Sequence, residues 1–301
     1  MKQLIFIGIA FLGLFTHKAS AQIYDSLDAQ YPFALPTETC VGDNPCSADN
    51  QIYTAGSEFV FTYYWLKDKK AQKVVLTPGM GAKIGDSQTY QYNWEWMPSE
   101  KMTGAEKYTV QKLLMSIPEK KGGLMIGQKD QTIIENRYMQ YDQLIPDMPA
   151  DYESEIKGEW MYPFEITGLI ECSQGVWMRP HREFGFKISQ LNPYPYIQFP
   201  IQKGNKWRWK YTVSDYWSDP HWKSWNDVLT VYCDYEITGQ VELPTTKLGK
   251  LKCYIVEATG QSDVGVTKMK AFFNSKYGFV KIVYTNIDES ELSIDLETVK
   301  K

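Results

Sequence analysis

Large aromatic side chains occupy every second position in several short stretches of this chain, and this pattern most constrains its fold. In the segment WRWKYTV, Trp207, Trp209 and Tyr211 alternate with Arg208 and Lys210. Successive side chains of a β-strand point to opposite faces of a sheet, so the pattern predicts a strand with one buried aromatic face and one charged face. Similar alternation occurs at residues 59–65, 231–237 and 251–255.

The carboxyl-terminal end predicts three short consecutive strands. Residues 269–273 and 279–285 are strand-like and flank a five-residue turn, and a third run follows at 292–296. The chain also holds 21 tyrosines, 13 phenylalanines and 10 tryptophans, which are side chains that favour strands. The sequence therefore predicts an all-β, mainly antiparallel fold, a large barrel or half-barrel meander with at most one or two short helices.

One segment carries a helix signal, with Ser99 as a candidate cap. Gly104 and the β-branched Thr109 weaken that signal. Two interpretations stay open, a short helix near residues 100–115 or a strand at 108–116.

The first 21 residues have the three parts of a secretory signal peptide. An early lysine precedes the apolar run 4–15, and Ala19-Ser20-Ala21 forms a small-residue cleavage motif. Lys18 ends the run before it reaches the roughly 18 residues that a membrane span needs. No cysteine stands at the cleavage point. We therefore expect a soluble chain beginning near Gln22, in the periplasm or outside the cell, that is not a lipoprotein.

The mature chain divides into two parts by composition. Residues 22–50 form an amino-terminal extension with a cysteine loop, and residues 51–301 form a single β-rich domain. An acidic stretch with prolines, 142–159, lacks any periodicity and indicates a connector. A division of the domain into two half-sheets, 51–141 and 160–301, stays open.

Five cysteines lie in the predicted exported chain, where disulfides are permitted. Cys40 and Cys46 enclose a short loop and are the first predicted pair. Cys233 and Cys253 lie on consecutive strand-like runs, which suggests a cross-strand bridge and leaves Cys172 over. Sequence alone does not determine the connectivity.

The sequence predicts no metal site and no cofactor. For zinc, the mature chain offers only His181 and His221 and no Cys-x-x-Cys pair. For calcium, Asp215 and Asp219 lack the spacing of an EF-hand loop. The segment GMGAKIG at 79–85 lacks the third glycine of a dinucleotide-binding loop and lies between β-like runs, so it is predicted to be a turn.

Charge disfavours a nucleic-acid partner. The chain has 32 Lys and Arg against 36 Asp and Glu, and two of the cations, Lys2 and Lys18, lie in the signal peptide. The mature net charge is therefore −6, and no basic stripe is present. No later segment is long and apolar enough to predict a membrane span. The oligomeric state stays open.

The last third of the chain contains the segments YEITGQVELPTTKLGKLKCYIVEATG and MKAFFNSKYGFVKIVYTN. Together they resemble the TapB-like group, exported bacterial β-rich proteins of unknown function. The residues that match the group's pattern are Gly249, Leu251, Cys253, Tyr254, Phe273, Gly278, Phe279, Val280 and Lys281. The resemblance implies an antiparallel, barrel-like architecture outside the cytoplasm. It implies no activity.

Five of the ten tryptophans fall within residues 204–227. Trp207 and Trp209 belong to the alternating strand and are predicted to be core. The following stretch, SDYWSDPHWKSWND, has no period of two and is predicted to be a loop that either closes the end of the barrel or binds a ligand. The candidate ligand-binding residues are Trp217, Trp222, Trp225, Asp215, Asp219 and His221.

These features favour an exported, non-enzymatic envelope protein with a binding or structural role. Its candidate partners are a glycan, a lipid or an envelope protein, and no catalytic residues are predicted. The first alternative is a glycoside hydrolase, which needs two carboxyl groups beside a sugar platform. The acids that lie among tryptophans are Glu95, Asp215, Asp219 and Asp227. The second alternative is a structural subunit of a secreted assembly, with exposed aromatics at its interface.

Overall fold

The structure is a computed structural model. It describes residues 51–67, 70–84, 87–98, 111–118, 124–128, 131–135, 137–144, 164–182 and 184–301. The predicted signal peptide, the extension 22–50 with Cys40 and Cys46, and most of the acidic connector lie outside the described residues.

The first ten strands come from the amino-terminal two thirds of the chain. They are β1 (Glu58–Lys67), β2 (Lys70–Ile84), β3 (Ser87–Pro98), β4 (Gln111–Ser116), β5 (Leu124–Gln128), β6 (Gln131–Glu135), β7 (Arg137–Leu144), β8 (Phe164–Cys172), β9 (Gly175–Met178) and β10 (Tyr196–Gln198).

The last six strands are longer on average. They are β11 (Lys206–Val213), β12 (Leu229–Pro244), β13 (Lys250–Ser262), β14 (Gly265–Asn274), β15 (Gly278–Thr285) and β16 (Glu291–Lys300). Two 3-10 helices, Phe184–Leu191 and Asp215–Trp217, accompany these strands within the described residues.

Twelve strands follow one path through a single antiparallel sheet, in the order β10-β9-β8-β7-β4-β1-β16-β15-β14-β13-β12-β11. Strands β2 and β3 extend from β1, and β5 and β6 pair separately. The sheet forms a nearly closed barrel, with β10 and β11 at the two ends of the path. The predicted all-β antiparallel fold is confirmed.

Aromatic rings bring the two ends of the path together inside the barrel. The ring of Trp177 on β9 lies 5.4 Å from that of Trp209 on β11, edge to face. The ring of Tyr196 on β10 lies 5.6 Å from that of Trp207 on β11. Such edge-to-face pairs add specific geometry to the large apolar area that they bury. The alternating face of β11 is therefore core, as its sequence pattern predicts.

A buried segment crosses the inner face of the barrel. It comprises residues 184–198, and every residue from Ile188 to Ile197 is buried. We call it the inner segment. Its first half is the 3-10 helix and its last residues form β10. The inner segment occupies space that an open barrel would offer to a ligand.

Hydroxyl groups of the sheet satisfy backbone carbonyls of the inner segment. The Tyr211 hydroxyl lies 3.0 and 2.8 Å from the carbonyl oxygens of Gln190 and Asn192. The Tyr235 hydroxyl donates to the carbonyl of Tyr194 at 3.0 Å. Burial raises the pKa of both tyrosines well above the ordinary value, so both stay protonated donors. This is how an irregular segment is accommodated in an apolar interior.

The amino-terminal end of the described chain packs against the sheet through Glu171 and Tyr53. The Glu171 carboxylate accepts the backbone N–H groups of Ile52 at 2.6 Å and of Tyr53 at 3.1 Å. The Tyr53 hydroxyl in turn accepts the backbone N–H of Phe279 at 3.0 Å. Gly278, with φ of +77°, leaves room for this ring, because a Cβ at that position would meet the Tyr53 hydroxyl.

Replacing Gly278 by alanine is expected to lower the free energy of unfolding by about 2–4 kcal/mol. The left-handed backbone costs a non-glycine residue about 1–2 kcal/mol, and overpacking against Tyr53 adds about 1–2 more. Gly249→Ala is the matched control, since Gly249 has φ of +75° and no atom within 4 Å of the added Cβ. Urea denaturation of both variants measures the difference, and equal losses would contradict the role assigned to the Tyr53 contact.

The predicted Cys233–Cys253 disulfide is wrong. The register of β12 and β13 places Cys233 opposite Gly260 and Cys253 opposite Val241, so the two residues lie at distant points of the same hairpin. Both side chains are buried and neither forms a disulfide; Cys172 is buried as well. Sequence showed that the two strands pair but not their register.

Two further local predictions can be compared with the structure. Most of residues 79–85, predicted to be a turn, belong to β2, which pairs with β3 and has a register shift between Met80 and Lys83. Of the two interpretations near residue 110, the strand is confirmed over the described part, since β4 spans Gln111–Ser116. Residues 101–110 lie outside the described part of the chain.

Candidate functional site at the Trp-rich loop

The connection between β11 and β12 contains all six candidate ligand-binding residues. It spans residues 214–228, and we call it the Trp-rich loop. Side chains within the loop hold its turns. Asp219 Oδ1 accepts the backbone N–H of His221 at 2.9 Å, and Ser218 Oγ accepts that of Trp225 at 2.9 Å. Short polar side chains stabilise turns in this way, which explains why the loop has a definite fold without a strand period.

The three tryptophans of the loop have different environments. Trp222 and Trp225 are buried, with 7% and 8% of their surface exposed, and both belong to the main hydrophobic core. Trp217 is half-buried against the same core. The loop thus closes this end of the barrel with two indoles and leaves one near the surface.

Tyr216 is a large hydrophobic side chain that is 71% exposed. Its ring stands perpendicular to that of Trp217, with 5.3 Å between ring centroids. The ammonium group of Lys187, from the inner segment, lies 5.0 Å from the centre of the Tyr216 ring. We call Asp215, Tyr216, Trp217, Asp219 and His221 the rim.

A buried ionic cluster lies beneath Trp217. Glu165 on β8 is 6% exposed and receives the side chain of Arg182, whose Nε donates to Oε1 at 2.6 Å. The backbone N–H of Arg182 donates to Oε2 at 2.7 Å, and His181 Nδ1 lies 3.2 Å from the same oxygen. The guanidinium carbon of Arg182 is 5.3 Å from the centre of the Trp217 ring. The cluster therefore fixes the cation on which Trp217 packs.

Electrostatics keep the Glu165 carboxylate ionised. Burial by itself would raise the pKa of Glu165, but the hydrogen bond from His181 and the charge of Arg182 outweigh it, and the pKa lies below its ordinary value. The His181 side chain is also fully buried. Because a substrate has no direct access to this pair, the cluster is better suited to positioning Trp217 than to acid–base chemistry.

Asp219 and His221 form an accessible polar pair at the rim. The His221 Nδ1 atom lies 2.5 Å from Asp219 Oδ1, and the two side chains are 51% and 19% exposed. Asp215, at the start of the 3-10 helix, is exposed as well. The rim thus offers an aromatic face beside hydrogen-bonding groups of both kinds.

The structure brings only some of the candidate residues together at the surface. The described residues contain no cluster of three His, Cys, Asp or Glu side chains that could hold a metal ion. Glu95 lies on β3, opposite Val75 of β2.

The sequence did not single out Tyr216, although it lies in the quoted loop, since one tyrosine among tryptophans carries no separate signal. The sequence also gave no sign that Glu165 forms an ion pair with Arg182.

Among the described residues, no helix has the length and apolar character that crossing a membrane requires.

No family model matches this chain. No curated protein matches it either. Two solved structures resemble it. One is a protein inferred to be exported, with a YmcC-like fold, from Bacteroides fragilis NCTC 9343; it is 9% identical, with a TM-score of 0.41, over 83% of this chain and 97% of that one. The other is a protein inferred to be a lipoprotein, from Parabacteroides distasonis ATCC 8503; it is 10% identical, with a TM-score of 0.39, over 82% and 96% of the two chains. At these values the likeness carries no functional argument. The TapB-like resemblance stays a prediction.

Proposed function

We propose that this protein is an exported, non-enzymatic binding protein that holds a glycan at the rim of the Trp-rich loop. The observation that carries the proposal is the exposure of Tyr216 on a loop held by internal hydrogen bonds. An exposed aromatic ring on an ordered surface supplies a flat apolar face at low entropic cost. Export rests on the predicted signal peptide, residues 1–21.

The rim suits a sugar better than a lipid. The face of the Tyr216 ring can pack on the C–H groups of a pyranose, while Asp215 and Asp219 accept hydrogen bonds from its hydroxyls. A lipid chain would need an apolar cavity, and the inner segment already lies inside the barrel. Of the three candidate partners, a glycan, a lipid and an envelope protein, this surface therefore favours a glycan.

Replacing Tyr216 by alanine is expected to weaken glycan binding about tenfold, the effect of losing about 1.4 kcal/mol of contact energy. Tyr64→Ala is the matched control, because Tyr64 is a 49% exposed tyrosine on β1, away from the loop. Calorimetric titration of neutral oligosaccharides of glucose, mannose and N-acetylglucosamine measures both variants. Equal affinity of the two variants, or no binding by the parent protein, would refute the rim as a glycan site. Release of shortened sugars during the titration would contradict the non-enzymatic part of the proposal.

A further inference from the structure

A groove of about 600 Å³ runs across the outer face of β11 to β15, on the opposite side of the sheet from the aromatic core. The strand registers arrange ten of its lining residues into two rows of directly opposed residues. The first row is Lys206, Glu236, Glu257, Lys270 and Val283. The second row is Arg208, Asp234, Thr259, Lys268 and Thr285. Directly opposed side chains have their Cβ atoms about 5 Å apart, so each row forms a continuous strip.

The first row compensates its own charges. Lys206 Nζ lies 3.3 Å from Glu236 Oε2, and Lys270 Nζ lies 2.8 Å from Glu257 Oε1. All four side chains are between 40% and 46% exposed. This row is therefore an accessible strip in which two acidic side chains lie between two basic ones, with no net charge.

The second row contains one more positively charged side chain than negatively charged ones. The Arg208 side chain is 1% exposed although it belongs to the outer face, and its Nε lies 2.5 Å from Asp234 Oδ1. Lys268 follows on β14 and is exposed. It stands between Thr259 and Thr285, so its two direct neighbours in the row carry no charge. Beyond the Arg208–Asp234 pair, the row thus carries an ammonium group flanked by two threonines.

We propose that this groove binds an acidic oligosaccharide, with a sugar carboxylate on Lys268. Four cations and three carboxylates line the groove, so its net charge suits one anionic group. A polyanion such as a nucleic acid would meet three carboxylates at close range. The hydroxyls of a sugar would satisfy Asp234 and Glu236, while Thr259 and Thr285 would donate to the carboxylate beside Lys268.

This site is independent of the rim, because the groove and the Trp-rich loop share no residue. Tyr216→Ala should leave the groove unchanged, and Lys268→Ala should leave neutral glycan binding at the rim unchanged. A failure of either proposal is therefore distinguishable from a failure of the other.

The test is calorimetric titration of the mature protein with trigalacturonic acid, with neutral maltotriose and inorganic phosphate titrated for comparison. We expect trigalacturonic acid to bind and Lys268→Ala to weaken that binding about tenfold, the loss of one charge-assisted contact. Lys250→Ala is the matched control, since Lys250 is an exposed lysine outside the groove. It should leave the affinity unchanged.

A second variant tests the charge balance in the opposite direction. Glu257→Gln removes a carboxylate and leaves Lys270 uncompensated, so it should tighten trigalacturonic acid binding roughly two- to fivefold at low salt. Unchanged affinity in both Lys268→Ala and Glu257→Gln would overturn the proposal. Equal binding of inorganic phosphate would overturn the assignment to a sugar and indicate a simple anion site. Absence of trigalacturonic acid binding by the parent protein would refute the site itself.

Discussion

Replacing Glu165 by glutamine is expected to lower the free energy of unfolding by about 3–5 kcal/mol, because it breaks a buried ion pair from one side. The two carboxylate oxygens accept different donors, the Nε of Arg182 at Oε1 and its backbone N–H at Oε2. An amide in place of the carboxylate must turn its NH₂ group toward one of these donors. The Arg182 charge would then lack its buried counterion. Chemical denaturation measures the loss.

The same substitution should change how stability depends on pH. The pKa of Glu165 is lowered in the folded protein, so its contribution is complete above the unfolded value of about 4.3 and is lost as the pH falls through the folded pKa. Glu165→Gln should therefore show a shallower loss of stability below about pH 4 than the parent protein.

Glu257→Gln is the control for both measurements. Glu257 pairs with Lys270 while 45% exposed, so its loss should cost less than about 1 kcal/mol. A cost for Glu165→Gln that is no larger than this would refute the stabilising role of the buried cluster.

The sequence predicted the parts of the fold that depend on local alternation. The aromatic positions of WRWKYTV alternate with polar ones, and Trp207, Trp209 and Tyr211 are buried in β11. The predicted strands at 269–273 and 279–285 lie within β14 and β15, with their turn between them. In each case one buried face determines which residues point inward, and a single sequence records that choice.

The inner segment could not be predicted in the same way. Its residues are buried on account of contacts with β11, β12 and β14, which are distant in sequence. The carbonyl of Leu191, for example, accepts a hydrogen bond from Thr267, 76 residues away. Local propensity contains no information about such partners. The sequence also does not determine the register between β12 and β13, which is why the Cys233–Cys253 pairing was predicted wrongly.

The Trp-rich loop shows both what a local sequence pattern predicts and what it does not. The loss of the period-two pattern after Val213 correctly predicted a loop. It could not show that Trp222 and Trp225 turn into the core while Tyr216 stays exposed, because that depends on how the chain is folded back by Asp219 and Ser218. The ligand-binding role of the six candidate residues stays a prediction, and the rim is the part of it that the surface supports.

Replacing Trp209 by alanine is expected to lower the free energy of unfolding by about 3–5 kcal/mol. Trp209 is fully buried, and three rings surround its indole. The centroids of the Trp177, Tyr194 and Tyr211 rings lie 5.4, 5.0 and 4.8 Å from it. Truncation would remove all three contacts and open a cavity where the inner segment meets β11.

Two comparisons make this result interpretable. Tyr64→Ala removes an exposed aromatic ring and should change stability by no more than about 0.5 kcal/mol. Trp209→Phe keeps one ring in the same space and should lose less than Trp209→Ala, which gives a measurable folded variant if the alanine variant unfolds. Urea denaturation followed by tryptophan fluorescence and circular dichroism reports all three. If Trp209→Ala cost as little as Tyr64→Ala, the aromatic face of β11 would not be the core on which the inner segment rests.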